Sequence, residues 1–223
     1  MAVNKSAGTL DQILKYERTR YRGLDQRIVH YRESRIVWSF CKIVSSGNDH
    51  VLDVPSDYGR FTPLLLSKGF DVTVADINVN MLLRVKQRVN GILDCACANI
   101  SKLPFKDNVF QGLLCMRLFK HIHSPEERMA SFVEIARVVS NWAIVSLYTS
   151  SPVHKLVRKF RDFKTITMDR CEAIEGELLR SGFRILKTKP ILCGINAQTI
   201  FLLELGTTPS REFHSNSKAR LPV

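Results

Sequence analysis

Short apolar runs alternate with amphipathic stretches from residue 51 to residue 148, and that alternation restricts the chain to one kind of architecture. The runs lie at 51–54, 70–75, 92–98, 109–116 and 142–148. Helical signals separate them. A stretch at 60–68 closes at Gly69, Asn78 is placed to cap a helix that Gly91 ends, and Ser124, Pro125 and Glu127 open another as a capping box. Strands that read as continuous apolar runs between helices belong to a parallel sheet covered on both faces. A last helix after Asp169, closed at Gly182, precedes two strands at 183–189 and 197–205 with no helix between them. Two strands joined in that way add an antiparallel edge. The expectation is an α/β fold, Rossmann-like and doubly wound, with a mostly parallel seven-stranded sheet and an antiparallel edge strand. Helical periodicity at about 9–22 and 32–44 makes residues 1–48 an N-terminal helical extension, residues 49–206 the α/β domain, and the polar residues 207–223 a tail expected to be disordered.

The formal charge of +12, with a pI near 9.7, points to an anionic partner or to solvated basic faces. The densest basic stretch, 154–170, carries Lys155, Arg158, Lys159, Arg161 and Lys164 between the fifth strand and the last helix. With Leu156, Phe160 and Phe163 packed down, those cations would face outward toward phosphates or an anionic membrane surface. Nucleic acid is the less favoured partner, because no Tyr or Trp is interleaved for base stacking. The opening residues contain no apolar run of the export type, which predicts a cytoplasmic protein. Cys41, Cys95, Cys97, Cys115, Cys171 and Cys193 are scattered through mostly apolar surroundings. They are expected to be buried structural thiols, and no metal site is expected.

Open parallel sheets bind ligands beyond the carboxyl ends of their strands, where strand order reverses. The residues at those turns are Asp53-Val54-Pro55-Ser56-Asp57-Tyr58-Gly59-Arg60 after the first strand, Asp76 at the end of the second, Asn99-Ile100 after the third and Arg117 after the fourth. A carboxylate placed like Asp76 can accept both hydroxyls of a ribose. A nicotinamide-type Rossmann domain would want G-x-G-x-x-G at the first turn, and that motif is absent.

This ensemble, with Leu103-Pro104-Phe105 and Asp107-Asn108-Val109-Phe110 at their spacings, resembles the class I S-adenosylmethionine-dependent methyltransferases. The likeness is greatest to the small bacterial ones with the methyltransferase type 11 domain, and it extends over residues 49–205. The resemblance implies S-adenosylmethionine as cofactor. Asp53 and the backbone from Pro55 through Asp57 to Gly59 would hold its methionine part, and Asp76 its ribose. Asn99 and Ile100 would lie at the adenine, the Asn99 amide oxygen facing the exocyclic amine, with Ile77 and Met81 flanking the ring. The chain departs from the family pattern at four positions. Pro55 and Asp57 stand where glycines are usual, Asn99 replaces the usual Asp, and Gln111 replaces Asp at the start of the fourth strand. Asp57 matters most, since its side chain would either crowd the methionine moiety or meet its charges.

The implied reaction is methyl transfer to a small, anionic or lipid-linked acceptor. The alternative is a non-catalytic methyltransferase-like module that binds an anionic partner or nucleic acid through its basic faces. Methyl transfer from a sulfonium needs a base only for a weakly acidic acceptor. His121 is the candidate catalytic base, with His123 beside it, and Arg117 the candidate anion-binding or orienting group. No N-P-P-Y-type tetrapeptide follows the fourth strand, which speaks against methylation of a planar nitrogen and for an oxygen or carbon acceptor.

Overall fold

The computed structural model describes residues 9–20, 22–149, 171–192 and 198–206. The expected basic surface at 154–170, the tail at 207–223, Cys193 and the side chain of Cys171 lie outside the described residues. The elements run α1 (Leu10–Arg20), α2 (Leu24–Val44), β1 (His50–Asp53), α3 (Thr62–Leu66), β2 (Asp71–Asp76), α4 (Val79–Arg88), β3 (Asp94–Cys97) and β4 (Phe110–Cys115). A 3-10 turn at Phe119–His121, α5 (Pro125–Val138), β5 (Val139–Tyr148), α6 (Cys171–Arg180), β6 (Phe183–Pro190) and β7 (Gln198–Leu205) follow.

The strands form one seven-stranded sheet in the order β3-β2-β1-β4-β5-β7-β6. The first five are mutually parallel, while β7 pairs antiparallel with both β5 and β6. The fold is therefore Rossmann-like, mostly parallel, with its antiparallel pairing confined to one end. Strand order reverses between β1 and β4, which places the binding crevice of an open sheet at their carboxyl ends.

Two apolar layers sandwich the sheet. One holds Phe132 and Ile135 of α5, Ile174 and Leu178 of α6, and the strand residues Leu52, Leu113 and Phe201. The other holds Val37 and Phe40 of α2, Leu65 of α3, Leu82 and Val85 of α4, and Val51, Val72 and Ile144. Local signals start α4 and α5 where they are read. The Asn78 side chain accepts the Asn80 N–H at 3.0 Å, and Ser124 Oγ accepts the Glu127 N–H at 3.2 Å.

Three expectations are corrected. Helix α2 begins at Leu24, eight residues before the expected start, because its apolar face continues through Val29. Strand β3 is not buried on both faces, since it is the sheet edge and only β2 pairs with it. Cys97 on that strand is consequently exposed and Cys95 half-buried, whereas Cys41 and Cys115 are buried as expected. Among the described residues no group of His, Cys, Asp or Glu is arranged to hold a metal ion. None of the described helices is long and apolar enough to cross a membrane.

Candidate active site

The turn after β1 is stitched to its neighbours by its own backbone. Val54 N donates to Leu114 O on β4, and Ser56 N to Ala75 O on β2, both at 2.9 Å. The chain reverses through Asp57 at φ +54° and Gly59 at φ +76°. Asp is among the few side chains that tolerate the left-handed region, so the backbone keeps a glycine-like path. At Gly59 any side chain would be strained. A Cβ there would lie 3.1 Å from Val89 Cγ2 and 3.2 Å from Val85 Cγ1, at a φ that side chains avoid.

Asp76 closes the turn from β2. Its Oδ2 accepts the Asp57 N–H at 3.0 Å and its Oδ1 the Asn78 N–H at 2.9 Å. Each carboxylate oxygen keeps acceptor capacity beyond those bonds. Burial pushes the Asp76 carboxyl up to about 6, against the pull of those backbone N–H groups. Asp57 is also pushed up by burial, while the Arg20 and Arg60 guanidiniums pull it back.

A cavity of about 620 Å³ opens beyond these strand ends. Pro55, Asp57, Asp76, Ile77, Asn99 and Ile100 line it, as do Arg117 and His121. Two residues expected in its wall support it from behind. The Asp53 carboxylate is buried and accepts a 2.7 Å hydrogen bond from Thr62 Oγ1, and burial pushes it up to about 7. Gly59 faces Val85 of α4 and Val89 just past its end. Asn99 lines the cavity, and its amide oxygen accepts from Ser101 N and Ser101 Oγ, both at 3.1 Å. His123 is exposed and outside the wall, unlike His121.

Arg117, at φ +61°, anchors its own N–H on Ser146 Oγ at 2.6 Å. Its guanidinium is held by Glu33 of α2, which is fully buried. Sequence reasoning missed Glu33 behind the cavity and, in its wall, Arg20, Lys120 and the side chains of Ser56 and Arg60. Glu33 had a signal. It is a lone acid in the apolar face made by Val29, Ile36, Val37 and Phe40, a pattern visible only when α2 is begun at Leu24. Lys120 had none. Its ammonium is pushed down to about 8 by burial, helped by the nearby guanidiniums of Arg117, Arg20 and Arg60.

Comparison with known proteins sets this geometry in context. Residues 52–146 match the family described as the methyltransferase domain. An uncharacterized protein of Methanocaldococcus jannaschii is 36% identical over 91 residues, 41% of this chain and 36% of the relative, so the match spans about a third of that protein. A crystal structure of magnesium protoporphyrin IX methyltransferase from Synechocystis, with bound SAH, superposes with a TM-score of 0.74 at 16% identity, covering 88% of this chain and 95% of that one. An S-adenosylmethionine-dependent methyltransferase from Clostridium acetobutylicum does so at 0.68 and 16%, covering 88% and 98%. At such identities the likeness speaks for the fold. Residues 52–146, with the turn after β1 and the carboxylate ending β2, are thus similar to the methyltransferase domain family, and the sheet that carries them has the fold of the solved methyltransferases it superposes on.

Proposed function

We propose that the chain transfers a methyl group from S-adenosylmethionine to a small anionic acceptor, bound in the cavity at the carboxyl ends of β1, β2 and β4. The observation that carries this reading is the combination of Asp76 and Ser56 in one cavity wall. Ser56 Oγ is buried there without a hydrogen-bond partner, a cost that a polar ligand would relieve. The residues fit the cofactor's parts. Asp76 would take the ribose hydroxyls, Ile77, Met81 and Ile100 the adenine faces, and Ser56, Asp57 and the guanidiniums of Arg20 and Arg60 the charged methionine end. A volume of about 620 Å³ lies within the usual range for small-molecule sites and leaves room for an acceptor.

The cofactor supplies an electrophilic methyl on a sulfonium, and the protein supplies position, dryness and proton handling. Helix α1 contributes Tyr16 and Arg20 to the wall, which gives the N-terminal extension at 1–48 a part in closing the site. Beyond the groups assigned to the cofactor, Arg117 and Lys120 bring basic side chains to the same cavity, which favours an acceptor carrying negative charge. Lys120, ionising near 8 and lining the cavity, is the group placed to take a proton from an acceptor hydroxyl. Isothermal titration with S-adenosylmethionine and with its demethylated product tests the reading. Saturable binding by the wild type that is lost in Asp76→Ala is the expected result, and absence of binding by the wild type would overturn it.

A further inference from the structure

Helix α2 carries a second, outward face that the catalytic reading does not use. Its buried residues Val29, Glu33, Ile36, Val37, Phe40 and Cys41 cover one side. At about 100° per residue, Leu24, Ile28, Tyr31, Arg35, Trp38 and Lys42 fall within roughly 80° of arc on the opposite side. The apolar members stand in solvent, with Leu24 75%, Ile28 52%, Tyr31 62% and Trp38 40% exposed. Exposed aromatic and aliphatic residues at this spacing, unbroken over most of a 21-residue helix, are not the solvated face of an ordinary surface helix.

The charges on this face are all of one sign. The Lys42 ammonium lies 3.7 Å from the centroid of the Trp38 ring, and the Lys68 ammonium, from the end of α3, lies 3.4 Å from it. The Arg35 guanidinium stands 5.7 Å from the Tyr31 ring. The acids of α2 are Asp25 and Glu33. Glu33 is buried on the far side, and Asp25 lies about 100° off the stripe in the first turn. Aromatic rings amphipathic enough for a headgroup region, aliphatic side chains to enter the acyl boundary, and Lys and Arg beside them are the chemistry of a helix that lies in a lipid interface.

We propose that the outer face of α2 docks the protein on an anionic phospholipid surface, with Leu24, Ile28, Tyr31 and Trp38 inserted and Arg35, Lys42 and Lys68 at the headgroups. A second copy of the chain would bury the same apolar stripe, but it would set these cations against each other with no acid to receive them.

The chain supplies its own probe. It has two tryptophans, and Trp142 is buried in the core, so quenching of fluorescence by lipids brominated along their acyl chains reports on Trp38. Vesicles of phosphatidylglycerol mixed with phosphatidylcholine should bind the protein in a salt-sensitive manner and quench it, while pure phosphatidylcholine vesicles should do neither. Ile28→Asp should weaken partitioning by ~10-fold or more, and the pair Lys42→Glu with Lys68→Glu should abolish it. The circular dichroism of each variant should match the wild type, because these side chains are outside the core. No vesicle binding, binding without quenching, or binding indifferent to Ile28→Asp would overturn the proposal. So would a dimer in sedimentation that Ile28→Asp dissociates.

Discussion

Glu33 of α2 receives the Arg117 guanidinium in a two-point pair, Nε to Oε1 at 2.7 Å and Nη2 to Oε2 at 2.8 Å, across 84 residues of sequence. Gln198 Nε2 on β7 donates to the same carboxylate at 2.7 Å, and Arg60 Nη2 stands 3.4 Å from it. One buried carboxylate thus fastens α2, the turn after β1, the segment after β4 and β7 together behind the cavity. Burial alone would resist its ionisation, but Arg60 and Arg117, with the hydrogen bonds from Arg117 and Gln198, hold its carboxyl below the ordinary range.

Removing that carboxylate leaves two guanidiniums without their shared partner. Glu33→Ala should cost about 3–5 kcal/mol of stability, measured by urea unfolding near neutral pH. Because the folded-state value is depressed, the stabilisation by Glu33 is fully present above about 4.5, its ordinary value. It is lost as pH falls through the folded value. The stability gap between wild type and Glu33→Gln should therefore narrow in acid.

Asp76 accepts ribose hydroxyls as a carboxylate. With its carboxyl near 6, affinity for S-adenosylmethionine should rise as pH climbs through about 6 and level off above it. Asp76→Asn should weaken binding by about 1.5–3 kcal/mol at neutral pH and remove this dependence. Titration calorimetry at several pH values between 5 and 8 checks both. A wild-type profile that is flat across that range would count against Asp76 as the ribose ligand.

Asp57 occupies a left-handed position in the cavity wall, where a glycine would be relaxed. Asp57→Gly should tighten S-adenosylmethionine binding by roughly 1–2 kcal/mol if relief of backbone strain and crowding governs affinity. Weaker binding in the variant, read by the same calorimetry, would identify the Asp57 carboxylate as a contact to the cofactor's charged end.

Lys120→Met keeps much of the side chain's volume and removes its ability to exchange a proton. Turnover should fall by about 100-fold or more with cofactor affinity unchanged, and the limb of the pH–rate profile near 8 should disappear. His121→Gln should leave that limb in place. The reverse pattern would return the base to His121.

Gly112 on β4 has no space for a side chain, since a Cβ would come within 2.1 Å of the Trp142 ring on β5. Gly112→Ala should destabilise the domain by about 3 kcal/mol, read as a lower urea midpoint with an unchanged slope.

Features that depend on near neighbours in the chain were legible in the sequence. The apolar runs became strands, the caps at Asn78 and Ser124 start α4 and α5, and the residues placed at the strand ends include six lining one cavity. A cap is a contact over two or three residues, and a buried parallel strand is an unbroken apolar run. Residues at the carboxyl ends of neighbouring parallel strands must also meet, whatever the side chains in between.

What the sequence left open are properties of groups that meet only when the chain is folded. Glu33 stands out only as an acid on an apolar helix face, and its partners Arg60, Arg117 and Gln198 are set only when α2 packs that face against the sheet. Lys120 looks ordinary until burial and three guanidiniums from separate elements act on it. Cys97 reads as a buried strand residue until strand order puts β3 at the edge. The sequence by itself determined the class of fold and the strand ends that build the cavity, because those follow from local pattern and sheet geometry. Only the tertiary structure decided which side chains share a low-dielectric environment, because desolvation and charge coupling depend on distances across the fold and not along the chain.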